Sequence, residues 1–165
     1  LQMVLRIRSE IRRDINELGT EGRLISMQLE ELVSGIDEEE MWLIMDYCRE
    51  LSEEKCREIR RELHRLSNDE LLDAQTIVRT LGYPHANNAM DQSVSPRGFR
   101  MLHKIPRLPS MIISNLVERF SFLPHIMMAT IEELDEVDGI GEVRARAIKE
   151  GLKRIQEQVF IDRHL

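Results

Sequence analysis

Thr130-Ile131-Glu132-Glu133-Leu134-Asp135-Glu136-Val137-Asp138-Gly139-Ile140-Gly141 runs directly into Glu142-Val143-Arg144-Ala145-Arg146-Ala147-Ile148-Lys149, and this segment reads as helix, tight turn, helix. Thr130 with Glu133 has the spacing of a capping box, which starts a helix by satisfying its first amides. Val137-Asp138-Gly139-Ile140-Gly141 is the turn. Glycines there allow positive φ and remove side chains that would block a close partner. Ile140 between them can plug into a core, and Val143, Ile148, Leu152 and Ile155 recur at helical spacing as the next helix's core face.

Sliding the chain by 32 residues reveals a second copy. Leu102 falls on Leu134, Ile105 on Val137, Leu108 on Ile140, Leu116 on Ile148 and Phe120 on Leu152. Two such units can bury their apolar faces on each other, which one alone cannot. In the earlier copy Arg107 and Pro109 stand where the glycines would be. Proline has no amide hydrogen, so that turn donates fewer bonds.

The N-terminal part is also helical in pattern. Val4, Ile7, Ile11, Ile15 and Leu18 form one stripe, Gly19 stops that helix, and Thr20 caps a second carrying Leu24, Met27, Leu29, Leu32 and Val33 up to Gly35. Asp37 with Glu38, Glu39 and Glu40 reads as a cap and a charged, solvated first turn. Ser52 caps a helix to about Leu66, and Ser67 with Glu70 boxes one that ends at Leu81 and Gly82, before Pro84. The polar run from His85 to Val94 has no apolar period and marks a boundary. The expected architecture is therefore all-α, with a helical linker bundle over 1–82, a connecting loop over 83–95 and a tandem helical-hairpin domain over 96–165.

The 165 residues are 32% charged and only 4% aromatic, too short for a large catalytic machine. No apolar run approaches the ~20 residues that span a bilayer, so no membrane association is expected. Cys48 and Cys56 are too few for a disulfide scaffold and read as small buried hydrophobes in a cytoplasmic protein. His64, His85, His103, His125 and His164 share no ligand spacing, so no metal is expected. Trp42, Met127 and Met128 read as core filler.

The formal net charge of −7 hides an asymmetry. Of 23 basic and 30 acidic residues, 11 and 10 lie from Arg97 onward, leaving 12 and 20 before it. Arg97, Arg100, Lys104 and Arg107 have no acid among them, and Arg144, Arg146, Lys149, Lys153 and Arg154 outnumber Glu142 and Glu150. Phosphate binding depends on such clusters, not on the total. The amides of a helix start have no internal partner, so glycines that allow approach make them a phosphate-binding surface.

Leu134-x-x-Val137-x-Gly139-Ile140-Gly141-x-x-x-Ala145-x-x-Ile148 matches the helix-hairpin-helix motif of DNA-binding proteins throughout. The motif assigns DNA contact to Gly139, Ile140, Gly141, Val143, Arg144, Arg146 and Lys149, with Arg97, Arg100, Lys104 and Arg107 as a secondary set. Such contacts go to the backbone and read no sequence. The resemblance extends further. Ser95-Pro96-Arg97-Gly98-Phe99-Arg100, Lys104-Ile105-Pro106-Arg107-Leu108-Pro109 and the hairpin running on to Leu152 resemble the C-terminal region of the DNA integrity scanning family, and Leu18-Gly19-Thr20-Glu21-Gly22-Arg23-Leu24 is similar to its central linker. That resemblance implies a parent whose N-terminal domain makes cyclic di-AMP from two ATP with a divalent metal such as Mg. It also implies assembly as a homo-octamer through that domain, a nucleoid-associated place in the cytoplasm, and DNA binding, especially to branched junctions. The cyclase Asp-Gly-Ala and Arg-His-Arg motifs are absent, and Arg163-His164-Leu165 only superficially resembles the latter. The chain is thus expected to hold no catalytic residue and no cofactor. It reads as a piece of something longer.

Two alternatives compete. A DNA glycosylase needs a catalytic Asp in a Gly/Pro-containing loop after the second helix. Here Asp162 lies between Ile161 and Arg163, and no lysine stands at the helix start. A protein-interaction or scaffold module could use the same tandem hairpins for packing alone, and the acidic N-terminal helices would suit a protein partner.

Overall fold

The computed structural model describes residues 2–17, 22–83 and 94–162. Among them it contains eleven α-helices and no strand. The expectations at Leu18, Gly19, Thr20, Pro84, most of the 83–95 loop and Arg163-His164-Leu165 lie outside the described residues. The chain divides into two compact units, 1–44 with 48–91 and 45–47 with 92–165.

In the first unit α1 (Gln2–Glu17) packs on α2 (Gly22–Leu32), followed by α3 (Ile36–Tyr47), α4 (Glu53–Leu63), α5 (Asn68–Leu72) and α6 (Ala74–Thr80). The amphipathic stripes are only partly covered. Leu29 is buried, but Ile7, Leu24, Met27 and Leu32 stand in solvent. The capping signals behave as read at Ser52, which accepts from the Lys55 amide, and at Ser67 with Glu70. The single helix expected from Ser67 to Leu81 is instead two. Asp73 ends α5, and its carboxylate accepts from the Gln75 and Thr76 amides to start α6. An aspartate that can bond its own downstream amides competes with a continuing helix.

Glu40 corrects the reading of the acidic run. Its side chain is fully buried, accepting from Arg60 Nε at 3.0 Å and lying 2.8 Å from His64 Nε2. Arg60 also reaches Asp37 at 2.8 Å, and Arg8 reaches the same carboxylate at 3.4 Å. A buried carboxylate is tolerated only when paired and hydrogen-bonded, and α4 with its C-terminal cap residue His64 supplies both partners.

The second unit is two helical hairpins with a linking helix. α7 (Phe99–Leu102) and α8 (Ser110–Phe120) form one, α9 (Leu123–Met128) connects, and α10 (Ile131–Asp135) with α11 (Glu142–Asp162) form the other. The 32-residue register holds in the backbone. Ile105 N–H to Leu102 O, Leu108 to Ile105 and Ile113 to Pro109 repeat as Val137 to Leu134, Ile140 to Val137 and Ala145 to Gly141. The matched pairs Leu102/Leu134, Ile105/Val137, Ile113/Ala145 and Leu116/Ile148 are all buried in one core. Each of the Leu, Ile and Val side chains among them contributes roughly 1.5–3 kcal/mol of transfer free energy. Val143 and Met128 depart from the expectation. They are 85% and 79% exposed, so neither belongs to the core.

Met45–Tyr47, the last turn of α3, belongs to this second unit although the sequence places it in the linker. Gly98, at φ +117 before α7, has no side chain to cap that helix. Asp46 does so from 52 positions away, accepting from the Gly98 and Phe99 amides at 2.7 Å each and from Arg100 at 3.3 Å. Burial pushes the Asp46 carboxyl above its ordinary range, and those three amides and the Arg100 charge pull it back in part. Arg97 completes the joint by donating to the Met45 and Asp46 carbonyls at 3.0 and 3.3 Å.

Candidate nucleic-acid interface

The turn before α11 gives its two glycines different jobs. Gly139 sits at φ +77, where a side chain is strained, and a Cβ there would lie 2.6 Å from Ile112 Cδ1. Gly141 is not left-handed, and a Cβ there would meet nothing closer than Asp135 Oδ1 at 4.0 Å. Positive φ therefore explains only the first. Gly141 instead leaves open space in front of the α11 start, where the next backbone bond inward is Ala145 N–H to Gly141 O at 2.9 Å. Ile140 is buried, pinning the turn to the core.

The side chains predicted around that turn are not equally available. Lys149 is half-buried, and its ammonium donates to the Met127 and Ala129 carbonyls at 2.7 Å each, holding the C-terminal end of α9. Arg146 pairs with Glu142 at 2.6 Å, and that hydrogen bond and charge hold its guanidinium above its ordinary pKa. Arg144 donates to the Gly139 carbonyl, fastening the turn to the first turns of α11. Val143 is exposed beside them. The surrounding field is acidic, since Glu132, Glu133, Asp135, Glu136 and Asp138 all lie in or beside α10.

The earlier turn has the opposite balance. Arg107 occupies the register of Gly139 and takes the same left-handed backbone, at φ +61. For a non-glycine residue that conformation costs roughly 1–2 kcal/mol. Lys104 and Arg107 are exposed, and among the described residues neither side chain is in an ion pair. Arg97, by contrast, is committed to the α3 carbonyls, and Arg100 is half-buried beside the Asp46 cap. Met111, in the register of Val143, is likewise exposed. A groove of about 640 Å³ runs between the two turns, lined by Pro106, Arg107 and Leu108 on one side and Gly141, Val143 and Arg144 on the other. The structure thus brings both turns to one groove, with the start of α11 along one wall and the exposed Arg107 along the other. The acid-free run Lys104–Arg107 was the sequence signal for the second wall.

Among the described residues no group of three or more His, Cys, Asp or Glu side chains could hold a metal ion. No helix among them is long and apolar enough to cross a membrane.

The model of the DisA bacterial checkpoint controller linker region matches residues 1–90. The chain belongs to that family. Curated relatives extend the likeness across both units. The DNA integrity scanning protein DisA of Carboxydothermus hydrogenoformans is 57% identical over 159 residues, covering 96% of this chain and 45% of the relative. The proteins of the same name from Acetivibrio thermocellus and Bacillus thuringiensis are 50% identical over 161 residues and 49% over 164, covering 98% and 99% of this chain. The chain spans a little under half the length of these family members.

Proposed function

We propose that this chain is the linker and DNA-binding part of a longer DNA integrity scanning protein, and that its second unit grips DNA through phosphates without reading sequence. The observation that carries this reading is the pairing of two 32-residue-related turns along one groove. Gly139, Ile140 and Gly141 hold open amides at the α11 start, with Val143, Arg144 and Arg146 around them, while Lys104 and Arg107 add unscreened positive charge from the other turn. Amide donors and Arg or Lys charges are the two chemistries that position a protein on a phosphate backbone. Lys149, Arg97 and Arg100 support the turns from behind in this reading. In this reading the two hairpins are a tandem helix-hairpin-helix, which the shared 32-residue register supports.

The name that the relatives share supports the DNA-scanning role. The longer parent would make cyclic di-AMP from two ATP with Mg in a separate domain and assemble as an octamer through it, placing this chain on branched DNA in the nucleoid. This chain by itself should convert no ATP. The acidic α10 and the exposed Met111 and Val143 favour a second reading, a protein-interaction module. Fluorescence-anisotropy titrations with a duplex and a four-way junction at two salt concentrations separate the two. DNA binding with a steep log–log salt dependence and a tighter junction complex is the expected result. Absence of salt-sensitive binding to either substrate would sink the DNA reading, and equal affinities would remove the junction preference.

A further inference from the structure

The α3–α4 corner in the first unit carries chemistry that DNA binding does not use. Cys48 follows the last residue of α3, its amide bonded to the Ile44 carbonyl at 2.7 Å, and Cys56 lies in the first turns of α4, its amide bonded to Ser52 at 2.9 Å. Both side chains are buried, at 0% and 2% exposure. Their sulfurs are 3.8 Å apart. The turn between them, Arg49-Glu50-Leu51-Ser52, is exposed throughout.

We propose that Cys48 and Cys56 are a modification site, a thiol pair that a small two-electron oxidant of the peroxide class converts to an intramolecular disulfide. A disulfide needs its sulfurs about 2.0 Å apart, so from 3.8 Å the pair must close by about 1.8 Å. Isolated buried cysteines are inert, but a cysteine with a second thiol already in contact has a resolving partner the moment it is oxidised. The exposed turn above them is the element whose local opening admits an oxidant little larger than water.

The chemistry balances in two steps. One cysteine, as thiolate, attacks a peroxide oxygen and breaks the O–O bond, leaving a sulfenic acid and a hydroxide that takes up the thiol's proton as water. The second sulfur then displaces the sulfenic hydroxyl, which leaves as a second water with the remaining thiol proton. Two electrons pass from the sulfur pair to the peroxide. The product ties the end of α3 to the start of α4 and closes the corner, and a dithiol reductant reverses it.

The test uses the whole chain, reduced and then exposed to hydrogen peroxide near stoichiometric amounts. Peptide mapping should find Cys48 joined to Cys56 within one chain. Thiol titration after denaturation should show both thiols lost together, dithiothreitol should restore them, and the oxidised form should melt at a higher temperature. In Cys56→Ser, Cys48 should stop at a sulfenic acid that a dimedone-type probe captures. If that variant does not fold, the wild-type map alone decides. Thiols that stay titratable after peroxide treatment, sulfinic acid on one cysteine without a disulfide, or a disulfide formed only between two chains each overturn the proposal.

Discussion

Replacing Gly141 with alanine separates ligand contact from folding, because the structure leaves room for the methyl group. A Cβ at Gly141 has nothing within contact distance except Asp135 Oδ1 at 4.0 Å, and its backbone is not left-handed. Folding stability should therefore move by no more than about 0.5 kcal/mol, as for other surface substitutions. The same methyl stands where a phosphate would approach the α11 start. A hydrogen bond to a charged group is worth about 1.5–3 kcal/mol, so losing one such bond should weaken DNA binding roughly ten- to hundredfold. Gly139→Ala is the contrast. Its φ of +77 and the 2.6 Å approach to Ile112 Cδ1 should cost at least about 1 kcal/mol of stability before binding is measured at all. Pro109→Ala adds an amide to the other turn and should leave affinity unchanged or slightly improved. Thermal melts paired with anisotropy titrations on one duplex read both quantities. A Gly141→Ala protein that melts and binds like its parent would refute phosphate contact at this helix start, and the bulkier Gly141→Val should then be equally silent.

Three further outcomes follow from the geometry. Lys104→Gln and Arg107→Gln should each shallow the log–log salt dependence of DNA binding by about 0.9, measured across several salt concentrations, whereas Arg12→Gln with Arg13→Gln should leave it unchanged. Lys149→Met removes two 2.7 Å bonds from the Met127 and Ala129 carbonyls. It should lower stability by about 1–3 kcal/mol in a denaturant titration while leaving the salt slope near its parent value. Asp46 titrates above its ordinary range because burial disfavours its charge. Its protonated form is thus the one the fold favours: that contribution is fully present below the ordinary aspartate pKa and is lost as pH rises through the raised value. Stability of the parent minus that of Asp46→Asn, followed from acid to neutral pH, should fall across that window. A flat difference would show that the cap bears no linked proton.

The hairpin was legible because its signals are local. The capping box at Thr130, the Gly-Ile-Gly turn and the 3.6-residue apolar period each act within a few residues, and the repeat is visible by sliding the chain. Asp73 shows the limit even of local signals. The periodicity ran on to Leu81, but a side chain able to bond its own downstream amides broke the helix.

Everything decided at long range needed the fold. Sequence alone determined that this chain is helical, that it carries two related turns, and that cations collect around both. It could not say which cations stay uncommitted, because a lysine's partner is set by whichever carbonyls the packing brings near. Lys149 went to α9 and Arg97 to α3, while Lys104 and Arg107 remained in solvent. The tertiary structure likewise made Glu40 a buried acid with Arg60 and His64 as partners, and made Asp46 the cap of a helix that begins 53 residues later. Side-chain direction within a helix follows from period, but the identity of the facing surface does not. Val143 therefore fits a core stripe by spacing and still ends in water at the start of α11.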